Sequence, residues 1–307
     1  MYWQGKFSLR TKALRFFTVS FVIFLLFSAS FALGTDLPEQ KTFLWKVQSG
    51  SSTAYVLGSI HFMKQDAYPL DERIEQAFES SDVLAVEANV NDISKIDMTK
   101  IISTAFYQDN DSLDRHLSHE TLALVSKEFG RFGMPMAVVS RQKPWFLALT
   151  LTSLELIKQG FDPNLGIDMH FLSKASGSKR IVELESVDYQ IDLLSGFTDR
   201  EQEILLVYTI EDIKTFGDSP EQLTDAWQKG DTGIVASIVI DSMTKDPELY
   251  SVYEKLVLER NRRMASRIEE FLLSGDTHFI VVGAAHLVGE KGIPALLREK
   301  GYDVGQM

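Results

Sequence analysis

The sequence predicts a single α/β domain with a mostly parallel central sheet and a large helical insertion covering the carboxyl edge of the strands. Two distant apolar runs, Tyr55-Val-Leu-Gly-Ser-Ile-His61 and His278-Phe-Ile-Val-Val-Gly-Ala-Ala-His286, both close on Gly-x-x-His. Runs of this length, rich in β-branched residues and ended by glycine, are buried strands leaving a sheet through tight turns. A strand, an amphipathic helix and a second apolar strand follow one another over residues 53–89, which is a βαβ unit and sets its strands parallel. The chain has 307 residues, 45% of them hydrophobic and 24% charged, enough apolar material for one sizeable core.

The amino-terminal stretch is set aside first. Lys6, Arg10, Lys12 and Arg15 precede an apolar run from Phe16 to Phe27, and Ser30-Phe-Ala32 is a small-x-small cleavage site. Residues 1–32 are therefore expected to be a secretory signal peptide, since the apolar run is shorter than the roughly 20 residues that span a bilayer. Residues 33–41 form a polar linker, and the domain occupies residues 42–307.

Within the domain, residues 42–47 and 53–57 flank Ser49-Gly-Ser-Ser52 and read as a hairpin whose second strand delivers His61. Residues 69–80 carry Ile74, Ala77 and Phe78 on one helical face and lead into a strand over 82–89. From about 91 to 178 the pattern is helical. Ser118 caps a helix ending near Phe129, Pro144 opens a strongly apolar helix closed by Gly160, and Gly166 opens a short one ending near Ala175. His116 and His119 fall in polar sequence and read as solvent-facing. Residues 179–185 form the next strand, and residues 198–275 are a second helical block. Thr198-Asp-Arg-Glu201 is a capping box, Ser219-Pro220 another start signal, and Asp246-Pro247 opens a long helix stopped by Gly275. A run of arginines on that helix reads as a solvated face. The His286 strand, a helix near residues 294–300 and a strand at 302–304 complete the chain.

The net charge is −12, and loss of the four positive charges in residues 1–32 takes it to about −16, which disfavours nucleic acid and anionic membranes as partners. There is no cysteine, so disulfides and a lipidated amino-terminal cysteine are excluded and any metal must be held by His, Asp or Glu. A periplasmic or secreted protein is expected, with no stable membrane insertion after signal cleavage. Phosphate loops, dinucleotide fingerprints and nucleophile elbows are missing from the sequence.

The candidate chemistry lies where the strands end, because the crevice outside the carboxyl edge is where open α/β sheets bind ligands. His61 and His286 should meet there, with Gly58 and Gly283 as the turns that aim them. Glu87 and Glu185 each leave a strand at the same edge, and a carboxylate in such a place needs a partner. Asp168 can face the same crevice, whereas its two-residue separation from His170 puts the pair on different helix faces. Two imidazoles and one or two carboxylates suit zinc, manganese or cobalt with open positions for water. A carboxylate not bound to metal can take a proton, and Arg260 can offset developing charge.

This constellation resembles the TraB/GumN family, which includes the Tiki metalloproteases and is distantly similar to erythromycin esterase-like enzymes. The matching residues are Gly58 to His61, Glu87, Leu184-Glu185 with Gln190, Arg260-Asn261 and Gly283 to His286, in family order over nearly the whole mature chain. The resemblance implies a divalent metal at His61 and His286 with Glu87 beside them and, in the Tiki branch, peptide-bond hydrolysis with manganese or cobalt. It also implies catalytic roles for Glu87, Glu185, Arg260 and Asn261, and substrate contacts for Gln190 and Asp168. Asn89 departs from the pattern, standing where many relatives carry an acid. The function expected is a metal-dependent, peptidase-like envelope hydrolase acting on a peptide or small molecule. The alternatives are an envelope protein that binds such a ligand without turnover, and a metal-free accessory protein.

Overall fold

Residues 40–307 are described here, apart from 51, 216–218 and 245, from a computed structural model. The expected signal peptide, and the linker up to residue 39, lie outside the described residues.

Six strands form one sheet: β1 (Leu44–Ser49), β2 (Ser52–Ser59), β3 (Val83–Val86), β4 (Arg180–Glu183), β5 (His278–Gly283) and β6 (Asp303–Gln306), in the spatial order β4-β3-β5-β2-β1-β6. β4, β3, β5 and β2 run parallel, while β1 pairs antiparallel with both β2 and β6. The expected βαβ unit is present, but β5 inserts between β2 and β3, so the chain's last long apolar run becomes the centre of the sheet. β5 is buried at every position from His278 to Val282, as a parallel strand covered on both faces must be.

Register decides where the chemistry sits. Ser59 pairs with Gly283, and Val86 pairs with both Val281 and Glu183. The four strand exits that carry His61, Glu87, Glu185 and His286 therefore open on one edge. Gly58 has to be glycine, because a Cβ there would collide with the Phe43 ring. Trp227, on the helix Ser219–Gln228, donates its indole N–H to the Gly58 carbonyl at 2.6 Å and pins a helix of the second block to the exit of β2.

Phe78, Phe171 and Phe279 pack with ring centroids 4.7–5.5 Å apart, joining the helices Glu72–Glu79 and Ile167–Ala175 to β5. The helical insertions have a separate core. Val125, Phe129, Leu147, Leu151, Leu206 and Ile210 bury one another between the helices His119–Gly130, Pro144–Lys158 and Asp199–Thr215.

Local signals place most helix starts. Asp71, Ser118 and Asp246 each accept a backbone N–H in the first turn that follows them. Thr198 and Glu201 form the reciprocal capping box. One helix is added to those expected and one expectation changes. Residues 186–190 open a helix, Val187–Ser195, with Ser186 as its cap. His116 is not solvent-facing: it stacks on Tyr107 at 4.5 Å and lies between Asp111 and Asp199, whereas His119 is exposed. Among the described residues no helix is long and apolar enough to cross a membrane.

Candidate active site

The cleft at the strand exits has a volume of about 120 Å³ and is lined by Ser59, His61, Glu87, Asp168, Gln190 and Gly283, among others. His61 leaves β2 and is followed through its Nδ1 to Asp168 Oδ1 at 3.1 Å. Asp168 comes from the first turn of the helix Ile167–Ala175 and also accepts from the Ser59 hydroxyl at 2.9 Å. A carboxylate oxygen only accepts, so Nδ1 carries the proton and Nε2 is left for the cleft. Crowding by protein opposes a charge on the ring, but the hydrogen bond and charge of Asp168 outweigh it and raise the pKa to about 9. The side chain is 62% solvent-accessible, and water screens the pair, so protonation is favoured near neutrality rather than locked. Gly166 lies under the His61 carbonyl, where a Cβ would collide with it.

His286 is built differently. It lies one short turn after β5, 4% exposed, inside the protein rather than on an open loop. Its Nδ1 meets Asn261 Oδ1 at 2.6 Å, and Asn261 Nδ2 donates to the Lys291 carbonyl at 2.8 Å. A carbonyl can only accept, which fixes the amide orientation and therefore the tautomer: the His286 proton is on Nδ1. Nε2 then faces Glu87 Oε1 at 3.6 Å. Burial above all, with the charges of Arg260 and His61 added, lowers the His286 pKa to about 4 against the pull of Glu87, so the ring is neutral. Two acceptors face each other, and a cation or a shared proton satisfies both.

Glu87 is the hub. Oε1 accepts from the Gly283 backbone N–H at 2.6 Å, and Oε2 accepts from Arg260 Nη2 at 2.5 Å and Gln190 Nε2 at 3.1 Å. Burial would raise its pKa, but His286, which is protonated by the low pH at which Glu87 titrates, the charges of Arg260 and His61 and the Gly283 N–H together hold it down at about 2. Arg260 also grips Glu185 through Nε at 3.0 and 3.1 Å and Nη2 at 2.7 Å. The Glu185 side chain is 1% exposed and Arg260 11%, so this is a buried triad and not a solvated face of the helix Glu259–Leu272. A π-helical stretch, Glu254–Leu258, precedes that helix, and the Leu256 carbonyl within it accepts from Arg260 Nη1 at 3.2 Å. Such a widened turn re-aims the residues that follow it.

The sequence-predicted residues thus divide. His61, His286, Glu87, Asp168 and Gln190 gather at the cleft and behind it. Arg260 is committed to carboxylates, and Asn261, 1% exposed, holds His286 instead of reaching a substrate. Glu185 has both oxygens occupied by Arg260 and Gln190 and is poorly placed to take a proton. Asn89 replaces no missing ligand, since its backbone N–H is bound by Glu183. Ser59, Gly166 and Trp227 support the site without having been expected to. Only Ser59, the last residue of β2 and two before His61, carries a sequence hint, because it stands at the same strand exit.

The donor types match a divalent-metal centre. Both imidazoles are held through Nδ1 by a carboxylate or amide oxygen, the arrangement that fixes metal-binding histidines. Among the described residues, however, no three His, Asp or Glu side chains close together as a metal cage.

The model of the TraB/PrgY/gumN family matches residues 43–306, which spans all six strands. The chain belongs to the TraB/PrgY/gumN family. Its relatives include the uncharacterized protein YbaP of Escherichia coli (strain K12), 26% identical over 250 residues that cover 81% of this chain and 89% of that protein. An uncharacterized protein of Treponema pallidum (strain Nichols) is 22% identical over 286 residues, covering 88% and 84%. A protein of Amphimedon queenslandica named as a metalloprotease TIKI homolog is 21% identical over 320 residues, covering 87% of this chain and 62% of its own length. No solved structure matches the chain.

Proposed function

We propose that this family member is a metal-dependent hydrolase of the cell envelope that cleaves peptide bonds. One observation carries the proposal: His61, in the lining of the cleft, and His286, buried behind it, each have the Nδ1 proton tied back, and the ionised Glu87 both lines that cleft and faces His286 Nε2 at 3.6 Å. His286, His61 and Glu87 are the residues that would hold a divalent ion, on a side-chain movement that brings the three together, and manganese, cobalt and zinc all suit that donor set. Such an ion, when bound, polarises a carbonyl and makes hydroxide available near neutral pH. The relative named as a metalloprotease homolog supports the same reading.

The chain's own residues have separable duties. Asp168 orients His61 and offsets charge on it, as the carboxylate behind a catalytic imidazole does. Asn261 keeps His286 in the tautomer with a free Nε2. Arg260 and Gln190 keep Glu87 ionised and fixed, so its free lone pair points at the cleft. Binding of a cation must displace the proton that His61 otherwise favours, so affinity rises with pH.

The test is hydrolysis of a peptide library by tag-free protein with manganese and with chelator, together with metal content by mass spectrometry. His61→Ala and His286→Ala should each remove most bound metal, and the double variant should be little worse than either single one. Unchanged metal content in both, with native circular dichroism, sinks the metal site. Peptide bound but never cleaved turns the protein into a sequestering one. Envelope location rests on residues 1–32, and a mature amino terminus found at Met1 would remove it.

A further inference from the structure

A second cavity, of about 320 Å³, opens beside the candidate site, and His61 lines both. Most of its wall comes from three elements that the sequence separates widely: Ile60 and Phe62 on either side of His61, Leu149 and Leu156 on the helix Pro144–Lys158, and Leu223 on the helix Ser219–Gln228, with Phe161 and Ile238 completing it. Leu149, Thr152, Ser153 and Leu156 stand at i, i+3, i+4 and i+7, a single helical face. The opposite side of the same helix, through Leu147 and Leu151, fills the insertion's core. An all-round apolar helix needs a partner for each side, and here the cavity side has Leu149 46% exposed.

Three of the four hydroxyls in the wall, all but that of Ser219, are turned away from it. Thr152 donates to the Ala148 carbonyl at 3.0 Å, Ser153 to Leu149 at 2.9 Å and Thr224 to Glu221 at 3.0 Å, each turned back onto its own helix. Among the described residues His61 is the single ionisable side chain in the lining, and it stands at the boundary with the candidate cleft. A ligand reaching from the cleft into this cavity therefore meets a polar, charged end and then an apolar one.

We propose that this cavity is the specificity pocket of the site, and that it takes a large apolar side chain, aromatic or branched aliphatic, of the peptide residue next to the bond held at His61. The assignment deepens the hydrolase reading and takes its reaction from it. The small cleft, at about 120 Å³, holds the polar bond, and the larger cavity has the volume for a benzyl or isobutyl group. Apolar pockets discriminate by the area they bury, and one methylene commonly changes kcat/KM by about 10–200-fold. Leu149 is the residue through which that preference can be altered with the fold intact, because it is exposed and its helix is held from the other side.

Two measurements on the full mature chain separate this inference from the reading beneath it. Peptides varied at one position should be cleaved at least about tenfold better with Phe or Leu than with Ala or Asp. Leu149→Glu should shrink that preference to within about threefold, and Leu149→Arg should shift it towards Asp. In parallel, N-acetyl-phenylalanine amide should bind the wild type, seen by calorimetry, and not bind Leu149→Glu, while N-acetyl-alanine amide should bind neither. Cleavage that disappears in His61→Ala but is indifferent to the varied residue, or to Leu149→Glu, overturns the pocket and leaves the hydrolase standing. Aromatic-amide binding that depends on Leu149, without cleavage of any peptide, upholds the pocket and overturns the hydrolase. Absence of both cleavage and amide binding overturns both.

Discussion

Arg260→Met removes the one cation that two inward-facing carboxylates share. Arg260 is 11% exposed, Glu87 12% and Glu185 1%, and the guanidinium makes four donor contacts of 2.5–3.1 Å to the two acids. Methionine is similar in length and apolar, so the loss is of charge and hydrogen bonds rather than of volume. Breaking a buried pair strands the remaining charge at a cost of about 3–5 kcal/mol. For a domain of this size that is a fall in melting temperature of roughly 6–20 °C. The loss should also depend on pH. In the wild type the Glu87 pKa is held near 2, below its ordinary value of 4.5, so its contribution is present above about pH 4.5 and is lost as pH falls towards 2. Without Arg260 that depression weakens, and the gap between variant and wild type should narrow on acidification from pH 7.5 to about pH 4. Adding Glu185→Gln to Arg260→Met removes a stranded charge and should recover at least about 1 kcal/mol. Urea denaturation followed by tryptophan fluorescence at the two pH values measures all three quantities. A variant within about 0.5 kcal/mol of wild type at pH 7.5, or no recovery in the double variant, would show that the triad is solvated and refute the reasoning.

Asn261→Leu should leave the buried His286 Nδ1–H unpaired, costing about 1–3 kcal/mol and roughly 10–100-fold in metal affinity, whereas Asn261→Asp keeps an acceptor and should retain most of the affinity by metal titration. Gly166→Ala places a Cβ against the His61 carbonyl, so the His61 turn must shift; melting temperature should fall modestly while kcat/KM for any cleaved peptide falls about 10²-fold. Glu201 ties the capping box to Ser251 and Lys255, whose hydrogen bonds overcome a burial cost and lower its pKa to about 2 from 4.5. Because the folded pKa is the depressed one, its roughly 2–3 kcal/mol is present above pH 4.5 and lost as pH falls towards 2. Glu201→Gln should therefore unfold at lower urea than wild type at pH 7, with the gap reduced to about a quarter near pH 2.5.

The sheet edge was legible because its signals are local: an apolar run and a His or Glu recur at each of the four exits, with a glycine at those of β2 and β5, and parallel strands send those exits the same way. What sequence spacing cannot convey is which groups consume one another. Arg260 stands in a charged run, Glu259-Arg-Asn-Arg-Arg263, where a solvated face is the ordinary outcome, and only the fold brings it between Glu87 and Glu185. That juxtaposition removes Glu185 from the set of free bases and converts Arg260 from a substrate contact into the support of Glu87. His116 was misjudged for the same reason, since Asp199 lies 83 residues away in sequence yet meets its ring at 2.9 Å. The helix Pro144–Lys158 carries the opposite lesson. Its boundaries and its all-round apolar character are plain in sequence, but that character has two causes, a core on one side and a cavity on the other, and composition treats them alike. The cavity side is where a helix interior tolerates Thr152 and Ser153 among leucines, because their hydroxyls bond back to the preceding turn and leave the wall apolar. Apolar sequence beyond what a core can use, on a helix that reaches the candidate site, is thus the signal by which a neighbouring cavity enters the sequence at all.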